Sequence, residues 1–225
     1  RCDLGFAQDL DADRLALVTE EGVAPGEDFT LVLVVDHLLR RPEARNAVVV
    51  KNVATTMALD QVAAARGASI VETRVGEVNL SRALMRLVAE GRYAIGGEGN
   101  GGIIFPPVGP GRDSIIGMAL VLEALAREPR TLGQLLAALP SLHTLKTKLA
   151  VPAGIAIAEL YRRVAAAFPH GAVDHIDGIR VRFADGSWFG VRPSNTEPVL
   201  RIMAESPSAL WAGDTVAQVQ ALLAR

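Results

Sequence analysis

The spacing of apolar positions along the chain changes character more than once. Leu4 to Ala7 and Leu15 to Thr19 are short apolar runs flanking an acidic segment, and they read as two strands. Glu21-Gly22 supplies a turn. Pro25-Gly26-Glu27-Asp28 has the form of a helix start, with carboxylates favoured by the N-terminal dipole, and the mostly apolar stretch to Arg40 reads as the helix. A strand–helix rhythm follows. Ala47 to Lys51 is a β-branched strand, and Thr55 or Thr56 can cap a helix that runs to Arg66 and stops at Gly67. Ser69 to Thr73 is the next strand. Asn79 to Glu90 is a helix with Leu80, Leu84, Leu87 and Val88 on one face and Gly91 after it. Tyr93 to Gly96 is strand-like, and Arg112 to Arg127 is a long helix. This alternation predicts a layered α/β domain with a mostly parallel mixed sheet.

After about Pro140 the rhythm changes. Leu142 to Leu149 reads as a strand and Pro152 to Phe168 as a helix. Three strands lie close together at Ile179 to Phe183, Trp188 to Arg192 and Val199 to Glu205, with Asp185-Gly186 as a hairpin signal between the first two. Thr215 to Leu223 is amphipathic through Val216, Val219, Leu222 and Leu223. The pattern predicts a small α+β domain with an antiparallel sheet. There is no internal repeat and no low-complexity segment.

Composition narrows the function classes. In 225 residues, half are hydrophobic and 21% charged, an ordinary globular balance. A net charge of −2 gives no basic excess for a nucleic-acid partner, so anion binding must come from a local cluster. No apolar run approaches the roughly 18 residues that span a bilayer, so no membrane partner is expected. The single cysteine, Cys2, excludes an intramolecular disulfide and argues against a cysteine-based zinc site. It fits a reducing compartment, and a cytoplasmic location is expected. The opening Arg-Cys-Asp-Leu-Gly has neither an initiator Met nor a signal-peptide core, which leads us to expect a fragment.

Three loops carry candidate chemistry. In Asp9-Leu10-Asp11-Ala12-Asp13-Arg14, three alternate carboxylates repel one another unless a cation lies between them, and magnesium or calcium suits such oxygen ligands. The alternative is a solvated acidic turn. An EF-hand is excluded, because Arg14 stands where that loop needs Gly. In Gly96-Gly97-Glu98-Gly99-Asn100-Gly101-Gly102, five glycines permit close approach of a ligand, while Glu98 and Asn100 offer partners for sugar hydroxyls. The alternative is a flexible turn; neither a dinucleotide fingerprint nor a Walker loop fits. In Arg192-Pro193-Ser194-Asn195-Thr196-Glu197-Pro198, a guanidinium, two hydroxyls, an amide and backbone N–H groups can cradle a phosphate. Here the alternative is a polar β-turn. His37, His143, His170 and His175 do not cluster at metal spacing, and Trp188 and Trp211 read as core or edge residues.

In order and spacing the three loops resemble those of the α-D-phosphohexomutases, which have a D-G-D-x-D-R metal loop, a G-G-E-x-S/N-G sugar loop and an R-x-S-x-T-E-P phosphate loop. Lys51-Asn52-Val53, Thr73 to Asn79 and Gly111-Arg112-Asp113 also look like segments of that family. The resemblance implies that Asp9, Asp11 and Asp13 hold Mg²⁺, with Arg14 near the transferring phosphate. It implies that Glu98 and Asn100 grip sugar hydroxyls, that Val75 and Gly76 line the same site, and that Arg192, Ser194, Asn195 and Thr196 clamp the phosphate that is not reacting. The partners implied are a hexose or hexosamine phosphate and its 1,6-bisphosphate.

The sequence departs from that family at three points. The phosphoserine loop, T-A-S-H-N-P-like, and a catalytic lysine of the family's first domain have no counterpart here. The resemblance therefore implies residues 1–24 as the end of the second domain, 25–140 as the third and 141–225 as the fourth, with the amino-terminal domains as missing partners. Leu10 replaces the usual glycine of the metal loop and would be strained if that position has a positive φ. Gly102 stands where some members have a histidine. The preferred expectation is part of a magnesium-dependent phosphosugar mutase, inactive by itself. The alternatives are a phosphosugar-binding module without catalysis and, with less support, a magnesium-dependent phosphatase.

Overall fold

A computed structural model describes residues 2–152, 154–194 and 196–224. The chain forms two compact units, Arg1–Ser141 and Leu142–Arg225.

The first unit begins with an antiparallel hairpin of β1 (Leu4–Gln8) and β2 (Leu15–Thr19), whose connection is the acidic segment. The central sheet follows, with β3 (Val48–Asn52), β4 (Ser69–Thr73), β5 (Ala94–Glu98) and β6 (Gly102–Ile104) in the order β4-β3-β5-β6. β3 pairs in parallel with β4 and β5, and β6 returns antiparallel along β5. All five residues of β3 are buried, as a central strand covered on both faces requires. On one face, Leu80, Leu84 and Leu87 of α3 (Glu77–Ala89) pack on Val48, Val50 and Ala94. The other face meets α1 (Asp28–Leu38), which is buried from Thr30 to Leu38; α2 (Ala58–Ala65) and α4 (Ser114–Arg127) pack beside it. An apolar helix without a polar face needs neighbours all round, and α1 has them.

Lys51 on this second face is fully buried and paired with Asp60 of α2, with the carbonyls of Thr55 and Thr56 at 3.4 and 3.3 Å from its Nζ. Burial raises the Asp60 carboxyl against the pull of Lys51.

The second unit has five strands in the order β7-β11-β10-β9-β8, all antiparallel: β7 (His143–Ala150), β8 (Ala172–Asp174), β9 (Ile179–Arg182), β10 (Trp188–Pro193) and β11 (Val199–Ser206). Leu160 and Val164 of α6 (Ile157–Ala167) and Val216, Val219 and Leu223 of α7 (Ala209–Leu223) pack on Ile179, Val181, Phe189, Val191, Leu200 and Ile202.

The architecture is the α/β domain plus antiparallel α+β unit that the periodicity predicts, with local corrections. α6 starts at Ile157 rather than Pro152, after Gly154 has taken a positive φ of 76°. α7 starts six residues before Thr215, where the Ser208 hydroxyl accepts the Trp211 N–H as a cap. The strand expected to end at Gly96 runs on through Glu98. Four short elements escaped the pattern: β6, β8, the 3-10 turn Pro42–Ala44 and the helix α5 (Leu132–Ala137). Gly186, at φ 84°, closes the β9–β10 hairpin.

One buried histidine gives the first unit a pH dependence. Nε2 of His37 lies 3.5 Å from Glu123 of α4. Burial holds the imidazole below its ordinary value against the pull of Glu123, and Arg41 and Arg127 act in the same direction as burial. Burial opposes ionisation of Glu123 too, but Arg41 and then His37 outweigh it and hold that carboxyl low. The fold therefore favours the neutral ring, while the unfolded chain takes up its proton near 6.5. Stability is full above that pH and is lost as pH falls through 6.5 towards the folded value. The expected result is a loss of urea stability between about pH 7.5 and about pH 5.5 that is smaller in His37→Gln. Equal losses in the two chains would exclude His37 as the source.

Candidate functional site

The acidic connection is a tight turn built on its own first residue. The Ala12 N–H donates to the Asp9 carbonyl, and Asp9 Oδ1 accepts the N–H groups of Asp13 and Arg14 at 3.2 and 3.1 Å. The positive φ of this loop, 58°, falls on Ala12; Leu10 does not share it and points fully into solvent, so the expected strain at Leu10 is absent. Ser114 at the start of α4 anchors the loop by donating its hydroxyl to the Ala12 carbonyl at 2.6 Å. The Leu15 N–H donates to the Gly101 carbonyl at 3.1 Å, joining the hairpin to the glycine-rich segment.

This turn brings Asp9, Asp11 and Asp13 together, with one oxygen from each inside 4.8 Å of the others. The Arg14 Nε lies 3.4 Å from Asp9 and 3.5 Å from Asp13, with its side chain half exposed. Burial would raise Asp9, but the Arg14 and Asp13 N–H groups and the Arg14 charge hold it low. Asp13 is displaced upwards: burial is the largest cause, Arg112 opposes it, and Asp11 and Asp9 add their repulsion. Asp13 Oδ1 is buried with no hydrogen-bond partner. Arg14 Nε stands 3.5 Å from this oxygen without making a hydrogen bond to it, and two ionised carboxylates cannot hydrogen-bond to each other, so the oxygen can still take a proton or a metal cation. A hard divalent cation with oxygen ligands fits that donor set.

Glu98, at the end of β5, is almost fully buried and fully partnered. Its Oε1 accepts from Asn52 Nδ2 at 2.8 Å and from the Gly76 N–H at 3.1 Å. Its Oε2 accepts from Arg112 Nη1 at 2.6 Å and from Asn100 Nδ2 at 3.4 Å. Asn100 Oδ1 in turn accepts the Gly102 N–H at 3.2 Å. Val75 lies beside this group, its carbonyl accepting from Asn79 Nδ2 at 3.2 Å. Asp9, Asp11, Asp13, Arg14, Val75, Gly76, Glu98 and Asn100 thus form one connected polar region in the first unit. Within it, Glu98 and its partner Asn52 stand at the carboxyl ends of β5 and β3, where open α/β sheets receive ligands.

Arg192, Ser194 and Thr196 lie in the second unit, at the β10–β11 turn; Asn195 falls outside the described residues. Arg192 stands in β10 opposite Arg201 of β11, and the Arg201 Nε donates to Ser194 Oγ at 3.4 Å. Ser194 Oγ also accepts the Thr196 N–H at 3.4 Å, and the Ser194 N–H donates to the Val199 carbonyl at 2.8 Å. Gly178, at φ 86°, lets the preceding loop lie directly on Arg192: a Cβ there would fall 2.8 Å from Arg192 Cβ.

Two residues given no role from the sequence turn out central. Asn52 orients Glu98, and its own Oδ1 accepts from the Ala54 N–H and the Thr55 hydroxyl. Its position at the end of a β-branched strand was the available signal. Arg112 joins Glu98 to Asp13, a contact across 99 positions of sequence that no local pattern reveals.

Residues 26–143 match the phosphoglucomutase/phosphomannomutase alpha/beta/alpha domain III, and residues 147–222 match the C-terminal domain of the same family. The chain belongs to this family, the α-D-phosphohexomutases. The phosphoglucomutase/phosphomannomutase of Thermococcus kodakarensis is 36% identical over 211 residues, 92% of this chain and 44% of that protein. A phosphoglucomutase/phosphomannomutase family protein from Burkholderia thailandensis superposes with a TM-score of 0.80 at 27% identity, over 98% of this chain and 46% of that one. The Aspergillus fumigatus N-acetylphosphoglucosamine mutase, solved with GlcNAc-6P and magnesium, shares the fold with a TM-score of 0.69 at 19% identity, over 96% and 48% of the two chains. The chain thus spans somewhat under half the length of these relatives. Among the described residues no helix is long and apolar enough to cross a membrane.

Proposed function

We propose that this chain is part of a magnesium-dependent mutase that interconverts hexose or hexosamine 1-phosphates and 6-phosphates through a phosphoserine and a bisphosphate intermediate. The observation that carries the reading is the convergence of Asp9, Asp11 and Asp13 beside the Glu98–Asn100 group in a chain of this family. Residues 1–24, 25–140 and 141–225 are assigned to the end of the second domain, the third and the fourth. The compact division at Ser141 and the two matched spans support that assignment. The phosphoserine is assigned to residues outside this sequence, so we expect the chain alone to bind without turnover. The cytoplasmic placement rests on the single cysteine.

Asp9, Asp11 and Asp13 would hold the ion, which supplies charge neutralisation at the transferring phosphate. Arg14, half exposed at the rim of the loop, adds a cation to the same region. Glu98 would take a sugar hydroxyl in exchange for its long contact with Asn100 at 3.4 Å, and Asn100, so released, would offer its amide beside it, with Val75 and Gly76 at their side. Arg192, Ser194, Asn195 and Thr196 hold the distal phosphate, so that binding energy from the idle end positions the reacting end.

Calorimetric titration with glucose 1,6-bisphosphate tests this reading. The chain is expected to bind, and Arg192→Ala to weaken binding by about 10–100-fold, the loss of one or two charge-assisted hydrogen bonds. Equal affinities would remove Arg192 from the phosphate clamp. Absence of binding by the parent chain would overturn the proposal that it carries a working share of the site.

A further inference from the structure

Arg112 has no role in the reading above, yet it occupies the centre of the polar region. Its side chain is only 10% exposed and its guanidinium faces three carboxylates from three elements. Nη1 donates to Glu98 at 2.6 Å and Nη2 to Asp13, while Nε lies 3.6 Å from Glu77 at the start of α3. The Arg112 N–H also donates to Glu77 at 2.7 Å, which fixes the root of the side chain. The two ends of one planar fork are therefore divided between the sugar-loop and metal-loop carboxylates. A lysine, a point charge on a flexible stem, cannot reproduce that division.

The path of the side chain is available only because residue 102 is glycine. A Cβ at Gly102 would lie 2.3 Å from Arg112 Cδ and 3.2 Å from its Cγ. A side chain at position 102 and this course of Arg112 exclude each other.

We propose that Arg112 is a positioning residue: it makes Glu98 and Asp13 share one cation, so that the state of the sugar loop is felt at the metal loop, and Gly102 provides its room. The effect on the metal rests on the magnesium reading given above; the bridge itself does not. With the Glu98 carboxylate in place, the guanidinium is divided between two anions. When that charge is removed, as in Glu98→Gln, it falls to Asp13 alone, and Asp13 has less to offer a second cation.

Urea denaturation of Asp13→Asn, Glu98→Gln and the double variant tests the bridge without metal. In the Arg112 chain, the effects on the unfolding constant are expected to depart from a simple product by about threefold or more. In Arg112→Met that coupling is lost, and Arg112→Lys, which keeps the charge and not the fork, is expected to follow it. Coupling of the same sign and size in either variant overturns the proposal. Gly102→Ala is expected to destabilise the Arg112 chain and to be tolerated in Arg112→Ala; an equal cost in both removes Gly102 from the argument. Magnesium titration supplies the readout that a purely structural strut would not move. Glu98→Gln is expected to weaken magnesium binding by about threefold or more when Arg112 is present and to leave it unchanged in Arg112→Met. An equal shift in both overturns the link to the metal loop. A parent chain that ignores magnesium sinks the metal reading instead, and the urea cycle then decides the bridge alone.

Discussion

Gly96→Ala is expected to cost the first unit about 3 kcal/mol, a loss comparable to the upper range for overpacked cores and a large share of a typical domain stability of about 5–15 kcal/mol. Gly96 sits inside β5 opposite Val50 of β3, and an added Cβ would fall 2.1 Å from the Val50 carbonyl oxygen and 3.1 Å from Val50 Cβ. The obstruction is backbone in a buried parallel pair. It can be relieved only by separating β3 from β5, which would disturb Asn52 and Glu98 at the ends of those strands. Gly109 offers the control, because a Cβ added there would meet no atom within 4 Å and its φ is not positive. Urea denaturation should show Gly109→Ala within about 0.5 kcal/mol of the parent, as is usual for open surface positions. If the two alanine variants unfold alike, the close approach of β3 and β5 is not what holds glycine at position 96.

The same glycine shows where sequence reading stops. A run of five glycines around Glu98 and Asn100 admits two physical explanations, room for a ligand and room for the protein's own backbone. In the fold the second accounts for much of it. Cβ atoms at Gly97 and Gly101 would lie 2.1 and 2.4 Å from the carbonyls of Gly102 and Leu15. Glu98 and Asn100 were legible as polar exceptions within that run, and the three aspartates were legible because alternate like charges in a short loop need a reason. Arg112 was not legible. From the sequence it is only the first residue of a long helix and part of a family-like segment, and only tertiary structure brings it to Glu98 and Asp13. The sheets followed from periodicity where strands had four or more residues, whereas β6 and β8, with three each, are too short to display a period of two. α5 carries a capping box of Thr131 and Gln134, but six helical residues give no amphipathic stripe to confirm it.

Asp11→Asn is expected to separate metal binding from folding more cleanly than any other change in the acidic loop. Asp9 accepts two backbone N–H groups and Asp13 is held by Arg112, so both shape the loop whether or not an ion is bound. Asp11 is exposed and makes no hydrogen bond or ion pair among the described residues, yet its carboxylate lies with the other two and its charge pushes Asp13 upwards. Under the proposed magnesium reading, a side chain that contributes only repulsion to the loop itself serves as a ligand to the ion. Magnesium affinity should therefore fall by about 100-fold in Asp11→Asn, at or beyond the 10–100-fold that loss of an outer partner alone produces. The metal-free chain should become more stable, because one like charge has left the cluster. Isothermal titration with magnesium and thermal unfolding in a chelator give the two readouts. Unchanged affinity would remove Asp11 from the ligand set, and a less stable metal-free chain would mean that Asp11 serves the loop's own structure.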